Sequence, residues 1–241
     1  MTAGGEAMKI SPISSTSLPN AFAVSSGALR VTDPCYDMET WCAGTLENVK
    51  NGIWQAQVGY HKDELDAQMV ERWLAGEKER IDAFAAKYEK DGLGDWIKHE
   101  YERLEEKRKG FEARPGRVAY LHIRHENTQS HFDHEAELDS TWGDSTIDVG
   151  VDSGQAGFFD LALFAQMCAS EPVKDKFYDE ICALTCETDG QWGVHPVGAV
   201  SSTGYGDGSY TCLVRRDEEL KLIEAVIVYL EEYDEEGEED A

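Results

Sequence analysis

Residues 201–210 read Ser-Ser-Thr-Gly-Tyr-Gly-Asp-Gly-Ser-Tyr, with glycines at three alternate positions and an Asp-Gly pair. β-type runs flank the peptide, Val197 to Thr203 leading in and Tyr210 to Arg215 leading out. Glycine reaches positive φ at little cost, and Asp-Gly suits a two-residue reversal, so the peptide predicts a hairpin turning at Gly204, Gly206 and Gly208. A chain built around such a reversal is committed to antiparallel strands in its C-terminal third.

The same logic extends along the chain. Ala28 to Thr32 alternates and stops at Asp33-Pro34, which predicts a short strand ended by a turn. Asn51-Gly52 precedes the alternating run from Ile53 to Tyr60 and predicts a hairpin with Leu46 to Lys50 as the partner strand. Arg117 to Arg124, Thr146 to Asp152 and Leu222 to Leu230 read as further strands, Ser153-Gly154 turning the chain after the second of them. Asp160 is placed to cap a helix starting at Leu161, and Val173 to Cys186 carries Phe177, Ile181 and Leu184 on one helical face.

Between Lys62 and Gly110 the period changes. Leu65, Met69, Trp73, Ile81, Phe84 and Tyr88 fall on one helical stripe, Gly92-Leu93-Gly94 breaks it, and Trp96, Ile97, Tyr101 and Leu104 resume it. The expectation is an α+β fold with a mostly antiparallel sheet or barrel-like β core and packed helices. Its parts are a flexible N-terminal arm at 1–23, a core from 24–61 and 115–230, an inserted helical hairpin at 62–114, and a disordered acidic tail at 231–241. The tail is acidic at 8 of its 11 positions, so self-repulsion outweighs any burial it could achieve.

Charge narrows the partners. The net charge is −26, and no Lys or Arg lies between Arg124 and Lys174. Such a chain repels phosphate backbones, which argues against direct nucleic-acid binding, and attracts cations or basic partners. No apolar run is long enough to span a membrane, and Met1 to Asn20 has no secretory-signal pattern, so a cytoplasmic location is expected, with the six cysteines reduced.

Three peptides stand out together: Ser26 to Tyr36 with Thr-Asp-Pro-Cys-Tyr at its end, Val149 to Asp160 with Val-Asp-Ser-Gly-Gln-Ala-Gly-Phe-Phe-Asp, and Ser202 to Tyr210. In order and content they resemble the domain-of-unknown-function family numbered 4241, from bacteria and phages. The resemblance covers about 24–60 and 118–230. It implies a β-rich core, a host-cytoplasm location for a phage-encoded copy, and no established reaction or catalytic residue.

Each peptide ends a strand in a turn bearing an acidic group: Asp33, Asp152 and Asp207. Strand-end loops commonly carry sites. Convergence of the three would gather a binding set of Asp33, Cys35, Tyr36, Asp152, Ser153, Ser202, Tyr205, Asp207 and Tyr210, with Gly154, Gly204, Gly206 and Gly208 shaping the turns. Carboxylates there could hold Mg²⁺ or Ca²⁺, although no cofactor is required and no metal-ligating residue is assigned. Read locally, the same residues are turn chemistry: an Asx turn at Asp33, a strand end at Asp152, a hairpin tip at Asp207-Gly208. His122, His125, His131 and His134 recur at three-residue offsets, which on a strand point to opposite faces and suit one ion poorly.

Gly-x-Ser-x-Gly and phosphate-loop patterns are absent. The leading expectation is a cytosolic non-enzymatic binding protein for a protein partner or small ligand. It would act through the glycine hairpin, the acidic face or the helical arm, the arm also being a candidate for homo-oligomerisation. The alternatives are a metal-dependent hydrolase using the aspartates and an acidic nucleic-acid mimic that inhibits a DNA-binding enzyme.

Overall fold

The computed structural model describes residues 10–12, 20–61, 64–88, 93–113, 115–128, 132 and 142–230. In chain order the elements are β1 (Ile10–Pro12), β2 (Ala21–Val24), β3 (Ala28–Thr32), β4 (Gly44–Glu47), β5 (Gly52–His61), α1 (Glu64–Tyr88), α2 (Gly94–Ala113), β6 (Arg117–His125), β7 (Trp142–Val151), β8 (Gln155–Asp160), α3 (Leu161–Met167), α4 (Glu171–Cys186), β9 (Trp192–His195), β10 (Gly198–Ser202), β11 (Gly208–Arg216) and β12 (Leu222–Val228). They fall into two compact units, 62–116 and the remainder.

The larger unit is α+β, with two antiparallel sheets. One runs β1-β5-β6-β12-β11-β7 with β2 also on β5, and the other runs β4-β3-β8-β10-β9. The sheets do not close into a barrel, so of the two expected core architectures the open-sheet form holds. Their inner faces share a core that includes Leu29, Val31, Trp54, Leu121, Val149, Phe158 and Ile227. Both sheets are covered outside as well. Phe159 and Val200 pack with Phe164 of α3 and Phe177 and Ile181 of α4, while Tyr120, Val226 and Val228 pack with Phe132. Strands covered on both faces lose the apolar-polar alternation, which is why β8 and β12 are buried at every position.

Asp160 joins a strand end to a helix start. Its Oδ1 accepts the N–H groups of Ala162 and Leu163 at 3.1 Å each, the expected helix cap, and its Oδ2 accepts those of Ser25 at 2.7 Å and Ser26 at 2.9 Å. Burial opposes ionisation of this carboxyl, but the hydrogen bonds outweigh it and hold it below the usual carboxylate range.

Three expectations are corrected. β4 pairs with β3 rather than β5, so Asn51-Gly52 is not a hairpin turn; Gly52 has φ +139 and a Cβ on it would lie 2.6 Å from the His125 ring, so backbone and packing both call for a glycine there. Of the expected N-terminal arm, residues 10–12 form β1 on β5, and residues 21–23 lie in β2, where Phe22 enters the core. The glycine peptide does not make a hairpin either. β10 and β11 belong to different sheets, so 203–207 is a crossover between layers.

In the smaller unit, the less exposed positions of α1 include Val70, Leu74, Glu77, Ile81, Phe84 and Tyr88, spaced alternately by four and three, with Ala85 half-buried beside them. Ile97, Tyr101, Leu104 and Arg108 repeat that spacing on α2. This is the seam of a two-helix coiled coil. Met69, expected on the packing stripe, is exposed, whereas Trp73, though partly exposed, packs edge-on against Phe111 of α2. α2 runs through Gly110 to Ala113. Tyr101 donates to Asp82, and Phe84 packs on Trp96. No helix among the described residues is long and apolar enough to cross a membrane.

Candidate functional site

Asp33 follows β3 and is fully buried. Its Oδ1 accepts the Cys35 N–H at 2.9 Å and the Ser153 hydroxyl at 2.7 Å; its Oδ2 accepts the N–H groups of Asp152 at 2.9 Å and Ser153 at 2.7 Å. One carboxylate therefore ties the first family-like peptide to the second. A buried carboxylate is tolerable only when its acceptor sites are filled, and four donors fill these.

The second peptide is tied in turn to the third. Thr203 donates its N–H to the Gly154 carbonyl at 3.0 Å, and the Gly154 backbone lies against Gly206. Within the third peptide, the Thr203 hydroxyl donates to the Gly206 carbonyl at 2.6 Å, and the Tyr210 hydroxyl reaches the same oxygen at 2.7 Å. Gly204 has φ +59, and a Cβ there would sit 2.8 Å from the Val118 carbonyl; Gly206 has φ +97 with open space around it. Gly208, expected in the turn, is a strand residue paired with Val151.

The three loops are thus joined, and the Asp33 and Asp152 carboxylates both act on the Cys35 thiol. Asp33 faces inward. Asp152 accepts from the Tyr36 hydroxyl, which is pushed up by burial and then by that carboxylate. Asp207 is exposed and makes no ion pair among the described residues. Ser202 is directed to Gln191, donating its N–H to the carbonyl at 2.9 Å and its hydroxyl to Oε1 at 3.3 Å. Tyr210 is raised by burial, its ring edge-on to Tyr229. Tyr205 stands 61% exposed with the Arg117 guanidinium 4.8 Å from its ring centre.

Burial, followed by the Asp33 carboxylate, pushes the Cys35 thiol up to about 12. At neutral pH it is a thiol rather than a thiolate, the wrong form for a nucleophile. Beside it is a set that the sequence reading passes over. Gln155 accepts the Thr185 hydroxyl at 2.6 Å, and burial raises Tyr178 to about 12 next to Cys182 and Ser153. The helical spacing of Tyr178, Cys182 and Thr185 was the available signal, but the strand that faces them was not legible.

A family model described as a protein of unknown function, DUF4241, matches residues 22–227. The chain belongs to the DUF4241 family. The match runs from β2 to β12 and takes in the helical unit, which the expected coverage of 24–60 and 118–230 left out, so in this DUF4241 chain the three tied loops and the coiled coil both lie within the matched range. No curated protein and no solved structure matches the chain.

Of the histidines, His125 is anchored by Asn51 and Asn127 and lies against Trp54. His122 is buried near Glu224 on the outer face of the larger sheet, 3.8 Å from its carboxylate. His131 and His134 lie outside the described residues. Among the described residues, no three His, Cys, Asp or Glu side chains are grouped to hold a metal ion.

Proposed function

We propose that this DUF4241 chain is a non-enzymatic binding protein that recognises its partner on the outer side of the tied loops, with Tyr205 and Asp207 at the centre. The observation that carries this reading is the division of labour within the loops. Asp33, Ser153, Thr203 and Tyr210 are spent on one another, while Tyr205 and Asp207 face solvent on a frame held by them. A rigid frame lowers the ordering cost of binding, and an exposed Tyr supplies contact area with little rotamer freedom to lose.

The hydrolase reading draws less support, because Asp33 has no acceptor site left for a cation and Cys35 is held as a thiol. The nucleic-acid mimic rests on the net charge of −26 alone. The test is capture of bound proteins and small molecules by the full chain, compared with Tyr205→Ala and Asp207→Asn. The reading expects both variants to lose the same partner while melting at the parent temperature. An unchanged set of partners defeats it.

A further inference from the structure

Trp41 is the most exposed large apolar residue of the described chain, at 92%. It lies on the loop between β3 and β4, and that loop is heavily fastened. The Arg30 guanidinium, itself buried, donates to the Met38 carbonyl at 2.9 Å and the Thr40 carbonyl at 3.3 Å. Lys174 holds Asp37 at 2.6 Å, Thr40 donates its N–H to the Asp37 carbonyl, and Gly150 donates to the Cys42 carbonyl at 2.8 Å. A mobile loop could fold a tryptophan back onto the surface. This one is held in a shape that leaves the indole in water, which costs free energy without serving the fold.

Two neighbours give the partner its chemistry. Glu39 is exposed and makes no ion pair among the described residues, whereas Asp37 is neutralised by Lys174. Asp37, Met38, Glu39 and Thr40 form one side of an open cavity of about 510 Å³, with Ala165 and Cys168 on the other. The loop carbonyls are drawn inward to Arg30, so a free carboxylate and an indole are what the loop offers outward. An indole face attracts a cation, and a carboxylate supplies its hydrogen bond. The net charge of −26 draws basic chains toward the molecule.

We infer that the 37–41 loop is a docking site for a basic peptide segment, a lysine or arginine side chain lying on Trp41 and pairing with Glu39. This surface is separate in sequence from Tyr205 and Asp207, so its failure leaves the reading above untouched.

The test is fluorescence anisotropy of labelled octa-lysine and octa-arginine with the full chain at physiological salt, octa-glutamate serving as control. Trp41→Ala is expected to weaken basic-peptide binding by about fivefold or more, with Trp41→Phe retaining part of it. Glu39→Gln weakens binding, whereas Glu126→Gln, an exposed acid elsewhere, does not. The inference is overturned if neither basic peptide binds, if Trp41→Ala binds as the parent does, or if Glu126→Gln costs as much as Glu39→Gln. The last outcome would show a diffuse charge effect. Loss with Tyr205→Ala but not Trp41→Ala also overturns it and assigns the peptide to the other surface.

Discussion

The Asp33 carboxylate takes both polar groups of Ser153, the hydroxyl on Oδ1 and the backbone N–H on Oδ2, each at 2.7 Å. The two residues are 120 positions apart in sequence, and this contact makes a single surface of two strand-end loops. Asp33→Asn replaces one acceptor with an NH₂ group that faces donors already in place. The expected cost is about 1–3 kcal/mol, read as a lower denaturant midpoint at unchanged slope. Asp207→Asn, exposed and unpaired among the described residues, is expected to stay within about 0.5 kcal/mol of the parent. Equal stability of the two variants would reduce Asp33 to an ordinary turn residue.

The glycines of the crossover differ in kind, and alanine substitution should rank them. Gly204 combines φ +59 with a Cβ position 2.8 Å from a backbone carbonyl, Gly206 has φ +97 in open space, and Gly208 has neither constraint. Gly204→Ala is expected to cost most, on the order of 1–3 kcal/mol or above, with Gly206→Ala intermediate and Gly208→Ala near neutral. Thermal melts of the three variants decide it, and a Gly208→Ala loss equal to that of Gly204→Ala contradicts the assignment.

Acid stability should depend on Asp160. Its folded carboxyl is held below the range of the unfolded chain, so the native state binds fewer protons in the window between the two. Its contribution is complete above the ordinary carboxylate value and is lost as pH falls through the lowered folded value. Stability therefore rises with pH across that window. Asp160→Asn removes this dependence and is expected to flatten the acid limb of a pH–denaturation series. A limb of parent steepness in the variant would assign the effect to other carboxyls.

The helical unit replaces what would otherwise be a hairpin turn. His61 of β5 and Arg117 of β6 are cross-strand partners, as are Tyr60 and Val118. Exchanging residues 62–116 for Asn-Gly closes the pair with a two-residue turn. The larger unit is expected to retain a single cooperative unfolding transition. A molten, non-cooperative product would show that the sheets need the coiled coil to fold.

Much of the architecture can be read locally. β3, β5, β6, β12, α4 and the Asp160 cap lie close to where alternation, helical period and capping chemistry put them. The three turn peptides are also recognisable as a set. What local pattern could not supply was pairing. Asn51-Gly52 and the glycine peptide both carry hairpin chemistry, yet the first leads into β5 with Gly52 at φ +139 beside His125, and the second passes between sheets. Turn propensity depends on the φ values that a few residues can reach, and a layer crossover uses the same values as a hairpin.

The candidate site divides along the same line. That Asp33, Asp152 and Asp207 end strands in turns is written in the residues beside them. Which of them is buried, which pairs with a tyrosine and which meets solvent is not, because burial depends on what the rest of the chain lays over each loop. The same is true of Trp41. Its exposure follows from Arg30, Lys174 and Gly150 holding the loop from three different elements. By itself the sequence determined β3, β5, β6, β12, α4, the Asp160 cap and the acidic charge, since these rest on neighbouring residues. Only the tertiary structure decided which loops are joined and which side chains are left to bind, since a hydrogen bond across 120 residues has no local signature.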